Sequence, residues 1–230
     1  MKRNEIVRGS NRFFLEKDEL DYLFSITLSF RMSCRVEGWV QKNIHGLYSS
    51  NAVYVTDNDA LIIATSAIKK ISTEEYSDIE YAIEDSYKEI NPQPGHIVVN
   101  MKCPIVWIKR NGKRIALSDN EKARITDNIL IVKFRARLSS MEINGVSTGN
   151  RLTKAAQKAL YKLKWLNYTD IEYALNDAFD EVENDYFNYK LHKNLEMYDR
   201  EECFANDRYA LSVGIDPDKL FESESEFAII

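Results

Sequence analysis

Basic side chains surround a predicted turn near the middle of the chain, and their chemistry is that of anion binding. The segment Pro104–Leu117 contains Asn111-Gly112 between two apolar runs, and this pair tolerates the positive φ angles of a two-residue β-hairpin turn. Four cations flank the turn: Lys109, Arg110, Lys113 and Arg114. Like charges that face each other on a hairpin are destabilising, so an anionic partner would offset their repulsion. We therefore expect this hairpin to bind phosphate groups or an acidic protein surface.

More cations follow in Ile129–Leu138, which is predicted as a third strand of the same module. Because neighbouring side chains on a strand point to opposite faces, Lys133, Arg135 and Arg137 would share one face. That row could follow a phosphate backbone, although it lacks the interleaved aromatic side chains that stack on single-stranded bases. The segment His96–Met101 is predicted as a fourth strand, which gives a small antiparallel β module over residues 94–140.

Charge is distributed unevenly along the chain. Residues 94–140 contain ten basic and three acidic side chains, a net charge of +7, whereas the whole chain carries −5, so the remaining residues carry −12. Two anionic partners fit the module: nucleic acid, or the acidic helical surface of an identical subunit. The second would be a head-to-tail contact, which closes into a ring when the rotation permits. A third interpretation is a solvated hairpin tip whose charges prevent edge-to-edge aggregation.

The sequence contains no recognisable motif for nucleophilic catalysis, phosphate-loop or dinucleotide binding, or zinc proteolysis. Glu80 and Glu84 are one helical turn apart and could ligate a metal, but Asn176 stands in place of Glu84 in the related segment described next, and no His lies at ligand spacing. The cysteines are far apart, and Cys34 and Cys103 are predicted as small core residues. The sequence therefore predicts no catalytic site, no metal and no cofactor.

One fifteen-residue phrase occurs twice, which indicates a duplicated structural unit. Tyr76–Ile90 reads YSDIEYAIEDSYKEI, and Tyr168–Val182 reads YTDIEYALNDAFDEV. Each phrase is typical of a helix start: Ser77 and Thr169 are predicted as caps, with the Glu three residues later completing a capping box. The tyrosines before each cap and at the fourth helical position have the spacing of a hydrophobic staple. The predicted buried stripes are Ile79, Ala82, Ile83 and Ile90 in one copy and Ile171, Ala174, Leu175 and Val182 in the other.

A further helix precedes each phrase, so each unit is predicted as an antiparallel helical hairpin, over residues 56–91 and 148–195. Thr56 with Asp59 has the spacing of a capping pair, and Asn91-Pro92 is expected to end the first hairpin. The apolar stripe of the first preceding helix is Leu61, Ile62, Thr65, Ile68 and Ile71. The corresponding stripe of the second is Leu152, Ala155, Ala156, Ala159, Leu160 and Leu163.

Extended arms are predicted at both ends of the chain. Met1–Arg12 is basic and is interpreted as an N-terminal arm. Ile26–Val36 alternates apolar and polar residues, which predicts a half-buried strand, with a helix as the alternative. Residues 199–230 are acidic and irregular and are interpreted as a C-terminal arm. Its apolar residues are expected to pack on a neighbouring molecule: Leu220, Phe221, Phe227, Ile229 and Ile230.

Together these elements predict an α+β fold in which two duplicated helical hairpins flank a small antiparallel β module, with extended N- and C-terminal arms. Residues 1–198 would form a single domain, followed by the arm 199–230. In this layout the chain resembles the neck-ring or head–tail adaptor proteins of tailed bacteriophages. The parts that carry the resemblance are the hairpin Pro104–Leu117, the helical units Thr56–Ile90 and Thr148–Val182, and the tail Asp199–Ile230.

The resemblance implies a small, non-enzymatic structural protein whose β elements mediate ring contacts and whose C-terminal arm grips a portal or the next ring. We expect a homo-oligomeric ring component of a phage virion neck, located in the virion and otherwise in the cytoplasm. Its expected partners are further copies of itself and neighbouring virion proteins such as a portal. No apolar run approaches the length that spans a bilayer, so no membrane partner is expected. The alternative is a nucleic-acid-binding protein that uses the basic hairpin, and an enzyme comes third.

Overall fold

A β-hairpin followed by three α-helices occurs twice along the described residues. The first copy consists of β1 (Glu5–Arg8), β2 (Asn11–Phe14), α1 (Lys17–Asn43), α2 (Asp57–Ser72) and α3 (Ile79–Ile90). The second consists of β3 (Trp107–Arg110), β4 (Lys113–Ala116), α4 (Asp119–Ser140), α5 (Gly149–Trp165) and α6 (Ile171–Ser212). The α+β class is confirmed, with a small antiparallel hairpin between the two pairs of predicted helices.

The structure, a computed structural model, describes residues 5–44, 55–92, 102–141, 149–165 and 168–212, with side chains up to Leu191 and at Lys193. The chain divides into two units, Met1–Asp180 and Glu181–Ile230. The sequence places the boundary at residue 198, whereas the two units divide within α6. Within the first unit, α1 packs against α2 and α4, α2 packs against α3, and α4 packs against α5.

The duplication is much longer than the fifteen-residue phrase. The hairpins and first helices start 102 residues apart, at Glu5 and Trp107 and at Lys17 and Asp119. The later helices start 92 residues apart, at Asp57 and Gly149 and at Ile79 and Ile171. Residues at these offsets are called equivalent below. The β module, predicted as one element between the two duplicated helical hairpins, is itself part of the repeat, because the first hairpin is its equivalent.

The predicted N-terminal arm is the first hairpin from Glu5 onwards, which is a correction to the sequence interpretation. Strands β1 and β2 pair in antiparallel register from Glu5 with Phe14 to Arg8 with Asn11. Two ion pairs engage its basic residues: Arg8 with Glu121 and Arg12 with Glu5. Arg8 and Arg12, two of the cations that suggested an arm, are thus partners within the fold.

Both hairpin turns depend on residues that tolerate positive φ. Asn111 and Gly112 have φ angles of 51° and 75°, which confirms the predicted turn of the second hairpin. In the first hairpin, Gly9 has φ of 60° at the first turn position. Glycine adopts this angle without the steric cost that a Cβ would add.

Two segments predicted as strands are helical. Ile26–Val36 lies in α1, as the alternative interpretation held, and Ile129–Leu138 lies in α4. The buried side chains of α1 recur at helical spacing, for example at Leu23 and Thr27, while Cys34, predicted as a core residue, is exposed. Of the alternating apolar residues, Ile26, Leu28 and Phe30 are half-buried beside the buried stripe, and Met32 and Val36 belong to it. A pattern with period two therefore arose without a strand.

The helical hairpins bury most of the predicted faces. All six stripe residues of α5 are buried, as are the four of α6, and in α3 only Ile90 is half-buried. In α2 the prediction was wrong in detail: Leu61 and Ile62 are exposed, and the buried face is built mostly from small residues. The buried apolar residues of α2 are Ala60, Ile63, Ala64 and Ala67, and three of these four are alanines. Small side chains allow α2 to pack closely between α1 and α3.

Equivalent residues from both copies build one core between the hairpins. The buried members are Ile6, Leu15, Leu23, Val106, Ile108, Leu117 and Ile125. Three equivalent pairs are among them: Ile6 with Ile108, Leu15 with Leu117, and Leu23 with Ile125. Each hairpin therefore buries its inner face against the other half of the chain, and neither has a complete core of its own.

Some predictions concern residues that the structure does not describe. The predicted strand His96–Met101 lies outside the described ranges, and so do the predicted arm contacts Leu220, Phe221, Phe227, Ile229 and Ile230. The first part of the predicted arm is corrected, because residues 199–212 belong to α6.

Candidate functional site

Reciprocal ion pairs join the two hairpins at what is called here the hairpin seam, formed by Arg8, Glu19, Arg110 and Glu121. Arg110 donates to both carboxylate oxygens of Glu19, at 2.7 and 2.6 Å. Its equivalent, Arg8, donates to both oxygens of Glu121, at 2.7 and 2.5 Å. The same guanidinium groups also donate to equivalent backbone carbonyls, those of Phe14 and Ala116. The exchange of equivalent contacts relates the halves by a pseudo-two-fold axis within one chain.

The hairpin seam is ionised at neutral pH. The bidentate hydrogen bonds from Arg8 hold the pKa of Glu121 at about 2, and those from Arg110 lower the pKa of Glu19. Both carboxylates also accept from the backbone N–H at the start of their own helix, at Glu16 and at Ser118. Arg110, one of the four cations predicted to bind an anion, therefore forms its ion pair within the fold.

The repeated phrases meet at a second place, called here the helix-start seam: Ser77, Asp78, Thr169 and Asp170. The capping-box prediction was wrong, because Asp78 and Asp170 are the caps and accept from the backbone N–H three residues later at 2.9 and 2.7 Å. The predicted caps donate across the axis instead, Ser77 to Asp170 and Thr169 to Asp78, both at 2.6 Å. Backbone hydrogen bonds between the phrases add a short antiparallel bridge. The phrase thus specifies the pairing of its own two copies.

Each phrase also contains a socket for a buried lysine. Lys162 lies 2.7 Å from Asp177 and 5.3 Å from the centre of the Tyr168 ring, and the Tyr168 hydroxyl donates to Asp177 at 2.8 Å. The equivalent Lys70 pairs with Asp85 and lies 5.9 Å from the Tyr76 ring. The hydrogen bond from the lysine lowers the pKa of each aspartate. Asp78, Asp85, Asp170 and Asp177 therefore hold the fold together through caps and ion pairs.

The predicted staple is present in the second phrase. The rings of Tyr168 and Tyr173 stack with centroids 5.6 Å apart. The helix start is therefore held by a ring contact in addition to its aspartate cap.

Three of the four predicted hairpin cations remain at the surface. Lys109, Lys113 and Arg114 are exposed, and none forms an ion pair with a carboxylate of the described residues. Lys109 shares a strand face with Trp107, which is 53% exposed, and Ile105 just before the strand is 66% exposed. Ile105, Trp107, Lys109 and Arg114, called here the hairpin face, combine apolar area with positive charge, and Lys113 lies beside them next to the turn.

A cavity of about 540 Å³ lies on the pseudo-two-fold axis within the first unit. Helices α1, α2, α4 and α5 supply most of its wall, largely in equivalent pairs. The pairs are Leu28 with Leu130, Met32 with Phe134, Arg35 with Arg137, Ile68 with Leu160, Ile71 with Leu163, and Ile79 with Ile171. This axial cavity is apolar on most of its wall, with cationic groups from α1, α4 and α5 and with the polar residues Ser72, Glu74 and Ser140.

Most of the cationic groups at the axial cavity have a carboxylate partner. Arg31 and Lys164 both pair with Asp127, at 2.7 and 2.6 Å, and Arg137 pairs with Glu172 at 2.7 Å. These three cations are therefore held by the fold.

Two further cations at the axial cavity form no ion pair with a carboxylate in the described part of the chain. Arg35 donates to the backbone carbonyl of Leu163, and burial lowers its pKa. Lys133 lies 4.9 Å from the centre of the Phe24 ring. Arg35 is half-buried, and its charge also interacts with the carboxylates of Glu80 and Asp78, whereas Lys133 is exposed.

The three cations predicted to share one face of a strand lie on helix α4 instead, and they do not all reach the same space. On α4, Lys133 and Arg137 are four residues apart and line the axial cavity, whereas Arg135 is not part of its wall. Sequence reasoning missed Arg31 and Arg35, which are the equivalents of Lys133 and Arg137. The signal was present, since extending the internal alignment upstream would have paired these four residues.

Other kinds of site find no support among the residues described. No group of three or more His, Cys, Asp or Glu side chains there could hold a metal ion. None of the described helices combines the length and apolar character required to cross a membrane. No protein-family model matches the sequence, and no curated protein or solved structure matches it at a significant level.

Proposed function

We propose that this protein is a non-enzymatic assembly protein that binds further copies of itself head to tail. The observation that carries the proposal is the hairpin face, where Trp107 and Ile105 are exposed beside cations that no described carboxylate neutralises. Exposed apolar area rimmed by charge is typical of a protein interface. Trp is also among the residues most often found at the energetic centre of such interfaces.

The surface that fits the hairpin face lies on the second unit of a neighbouring molecule. Residues 181–230 contain 13 acidic and 5 basic side chains, a net charge of −8. On the described part of this unit, Phe187 and Leu191 are exposed four residues apart, so they share a face of α6. An acidic helix with exposed apolar residues complements a basic hairpin with an exposed Trp.

A contact between two different surfaces of the same protein is heterologous, and it produces rings or filaments. A ring in the neck of a phage virion is the setting implied by the resemblance described above. Virion location and a portal partner belong to that proposal and are supported by the resemblance alone.

Charge reversal of the hairpin tests the contact. We expect the parent to run as an oligomer in mass photometry, and K109E/K113E/R114E to run as a monomer. Arg110 is left unchanged because the hairpin seam requires it. The matched control is K17E/K69E/K154E, which makes the same change of net charge at exposed lysines elsewhere and should remain an oligomer.

A compensating reversal on α6 makes the test specific. Adding E183K, which lies one turn before Phe187 on the same face of α6, to the hairpin variant should restore oligomers, since opposite charges then face each other again. A parent that stays monomeric at every concentration would contradict the proposal. So would a hairpin variant that assembles as well as the parent.

Binding of single-stranded nucleic acid is the second candidate, favoured by the exposure of Trp107 beside Lys109 and Arg114. A ring that stacks on bases next to cations that neutralise phosphates is a recurring arrangement. The parent should then shift a labelled oligonucleotide in a salt-dependent manner, and W107A and the three-site charge reversal should both abolish the shift. Absence of a shift with the parent at low salt would end this candidate.

A further inference from the structure

Two cysteines from different halves of the chain, Cys34 on α1 and Cys103 just before β3, lie near each other in the first unit. One cavity of about 500 Å³ is lined by Ser33, which precedes Cys34, and by Lys102 and Pro104, which stand on either side of Cys103. The two thiols also interact electrostatically. Cys34 is exposed and Cys103 is half-buried, so this thiol pair lies at the surface.

A buried lysine, Lys122 of α4, contacts one member of the thiol pair. Its side chain is only 2% exposed, and its ammonium group donates to the Pro104 carbonyl at 2.6 Å and lies 2.7 Å from a carboxylate oxygen of Asp119. It also forms a hydrogen bond with the Cys103 side chain. Burial opposes the charge of Lys122, but the hydrogen bonds with Asp119 and Cys103 outweigh burial and raise its pKa, so the ammonium stays charged.

The first half of the chain indicates that the fold does not require a charge at this position. The equivalent of Lys122 is Leu20, which packs against the core shared by the hairpins, and the equivalent of Asp119 is Lys17. Burying an ammonium group costs desolvation that a leucine does not incur. What Lys122 supplies and Leu20 cannot is a positive charge beside the Cys103 sulfur.

We propose that Cys34 and Cys103 form a reversible redox pair, in which Cys103 reacts first with a peroxide and Cys34 then closes an intramolecular disulfide. An ammonium group next to a cysteine stabilises the thiolate, which is the reactive form, and a second thiol nearby captures the oxidised product. Lys122 gives the first role to Cys103. Burial raises the pKa of Cys34, with a further contribution from Glu37, so Cys34 remains a thiol and takes the second role.

The reaction balances with one molecule of hydrogen peroxide as the oxidant. The Cys103 thiolate attacks one peroxide oxygen, so an S–O bond forms, the O–O bond breaks, and the released hydroxide takes up a proton to become water. The Cys34 sulfur then attacks the sulfur of this sulfenic acid. The S–S bond forms, the S–O bond breaks, and the leaving hydroxide departs as water with the Cys34 proton. The two sulfur atoms together lose two electrons, which the peroxide accepts, and a thiol reductant reverses the change.

Peroxide oxidation of the full chain, followed by mass spectrometry of its peptides, tests the proposal. Every sample carries C203S, so that Cys34 and Cys103 are its only cysteines. After reduction and a limited dose of hydrogen peroxide, we expect the monomer to yield one peptide pair joined between Cys34 and Cys103. Neither cysteine should then react with N-ethylmaleimide.

Single-cysteine variants assign the two roles. In C34A, which introduces the residue found at the equivalent position Ala136, dimedone should trap Cys103 as a sulfenic acid. In C103A, Cys34 should stay reduced over the same time and react with N-ethylmaleimide. The proposal does not rest on self-assembly, because the expected disulfide lies within one molecule.

Variants of the charged neighbours, made in the C34A background, measure the contribution of Lys122. K122M keeps the apolar stem and resembles Leu20 of the first half, and the rate of dimedone capture should fall about tenfold, the usual effect of losing a hydrogen bond from a charged group. D119N removes an anion beside the same sulfur at an exposed position, so the rate should rise. K69M, at an exposed lysine of α2, is the control and should react like the parent.

Four results would overturn the proposal. They are a disulfide that joins two molecules instead of closing within one, oxidation of Cys34 in C103A as fast as that of Cys103 in C34A, capture in K122M at the parent rate, and capture in D119N no faster than in the parent. The D119N result holds even if K122M fails to fold, because Asp119 is exposed.

Discussion

The first half of the chain, from β1 to α3, and the second half, from β3 to α6, can be compared position by position. Where the halves touch, equivalent residues are often identical, and the clearest cases are Arg8 with Arg110, Glu19 with Glu121, and Asp78 with Asp170. The lysine sockets within each half are also shared, as Lys70 with Lys162 and Asp85 with Asp177. On the strand faces that carry Glu5 in the first hairpin and Trp107 in the second, equivalent residues differ. Buried Glu5 is the equivalent of exposed Trp107, and Val7 is the equivalent of Lys109. The shared residues specify how the halves join, and the unshared residues give each half its own surface.

The third helices show how a local difference changes the architecture. Helix α3 ends at Ile90, where Asn91 adopts a left-handed φ of 45° before Pro92, while α6 continues to Ser212. The sequence predicted the stop, because the residue before proline disfavours the helical conformation. Glu183 and Asn184 stand at the equivalent positions in α6, so the helix has no such stop. The long acidic helix is thus a feature of one half alone.

The largest effect is expected from breaking the helix-start seam. In D78A/D170A each half loses its cap, which contributes about 1 kcal/mol, and the other half's hydroxyl loses a charge-assisted hydrogen bond of about 1.5 kcal/mol. We expect the free energy of unfolding to fall by about 5 kcal/mol, measured by urea denaturation. D57A, at an exposed first-turn position of α2, is the control and should change stability much less. A loss below about 1.5 kcal/mol in the double variant would show that the pairing is not needed.

A smaller effect, dependent on pH, is expected at the hairpin seam. The pKa of Glu121 is about 2 in the folded protein and 4.5 in the unfolded chain, so the unfolded chain binds the proton more readily. Its contribution is therefore fully present above about pH 5 and is lost as the pH falls towards 2. The difference corresponds to about 3 kcal/mol, and E121Q should lose about 2–3 kcal/mol at pH 7 and little at pH 2.

The equivalent variant in the first half sharpens this comparison. Arg110 lowers the pKa of Glu19, so E19Q should show a loss with the same sign of pH dependence. Unfolding curves between pH 2 and 7 for parent, E19Q and E121Q would check both. If the free energy of unfolding of E121Q changed with pH in the same way as that of the parent, the hairpin seam would have no electrostatic role.

Local features of the fold could be predicted from the sequence, and contacts across the axis could not. The Asn111-Gly112 turn, the Thr56 cap and the Asn91-Pro92 stop each depend on a few neighbouring residues. The pairing of Arg8 with Glu121 joins residues 113 positions apart, and no local pattern encodes it. The hydroxyls of the repeated phrase were misassigned for the same reason, since their partners lie in the other copy.

The axial cavity was only partly predictable. Lys133 and Arg137 were selected for their charge, but they were placed on a strand together with Arg135. Whether a segment with period two forms a strand depends on what packs against it, and here helices pack on both sides. Arg35 lies in Ile26–Val36, the other segment that was wrongly predicted as a strand, and it was therefore not considered as a site residue. Only the three-dimensional pairing of α1 with α4 brings these cations to one space.

The smallest effect is expected in the lysine sockets. Lys162 pairs with Asp177, and Lys70 pairs with Asp85 and Glu89. K162M keeps the buried stem and removes the charge, so it should lower the unfolding midpoint by less than E121Q does. Because the hydrogen bond from Lys162 lowers the pKa of Asp177, the variant should also raise that pKa, as measured by a carboxyl NMR titration. K70M is the matched variant in the first half, where Asp85 should respond in the same direction. A pKa of Asp177 that did not move in K162M would mean that the Tyr168 hydroxyl, which also donates to it, suffices to hold the carboxylate.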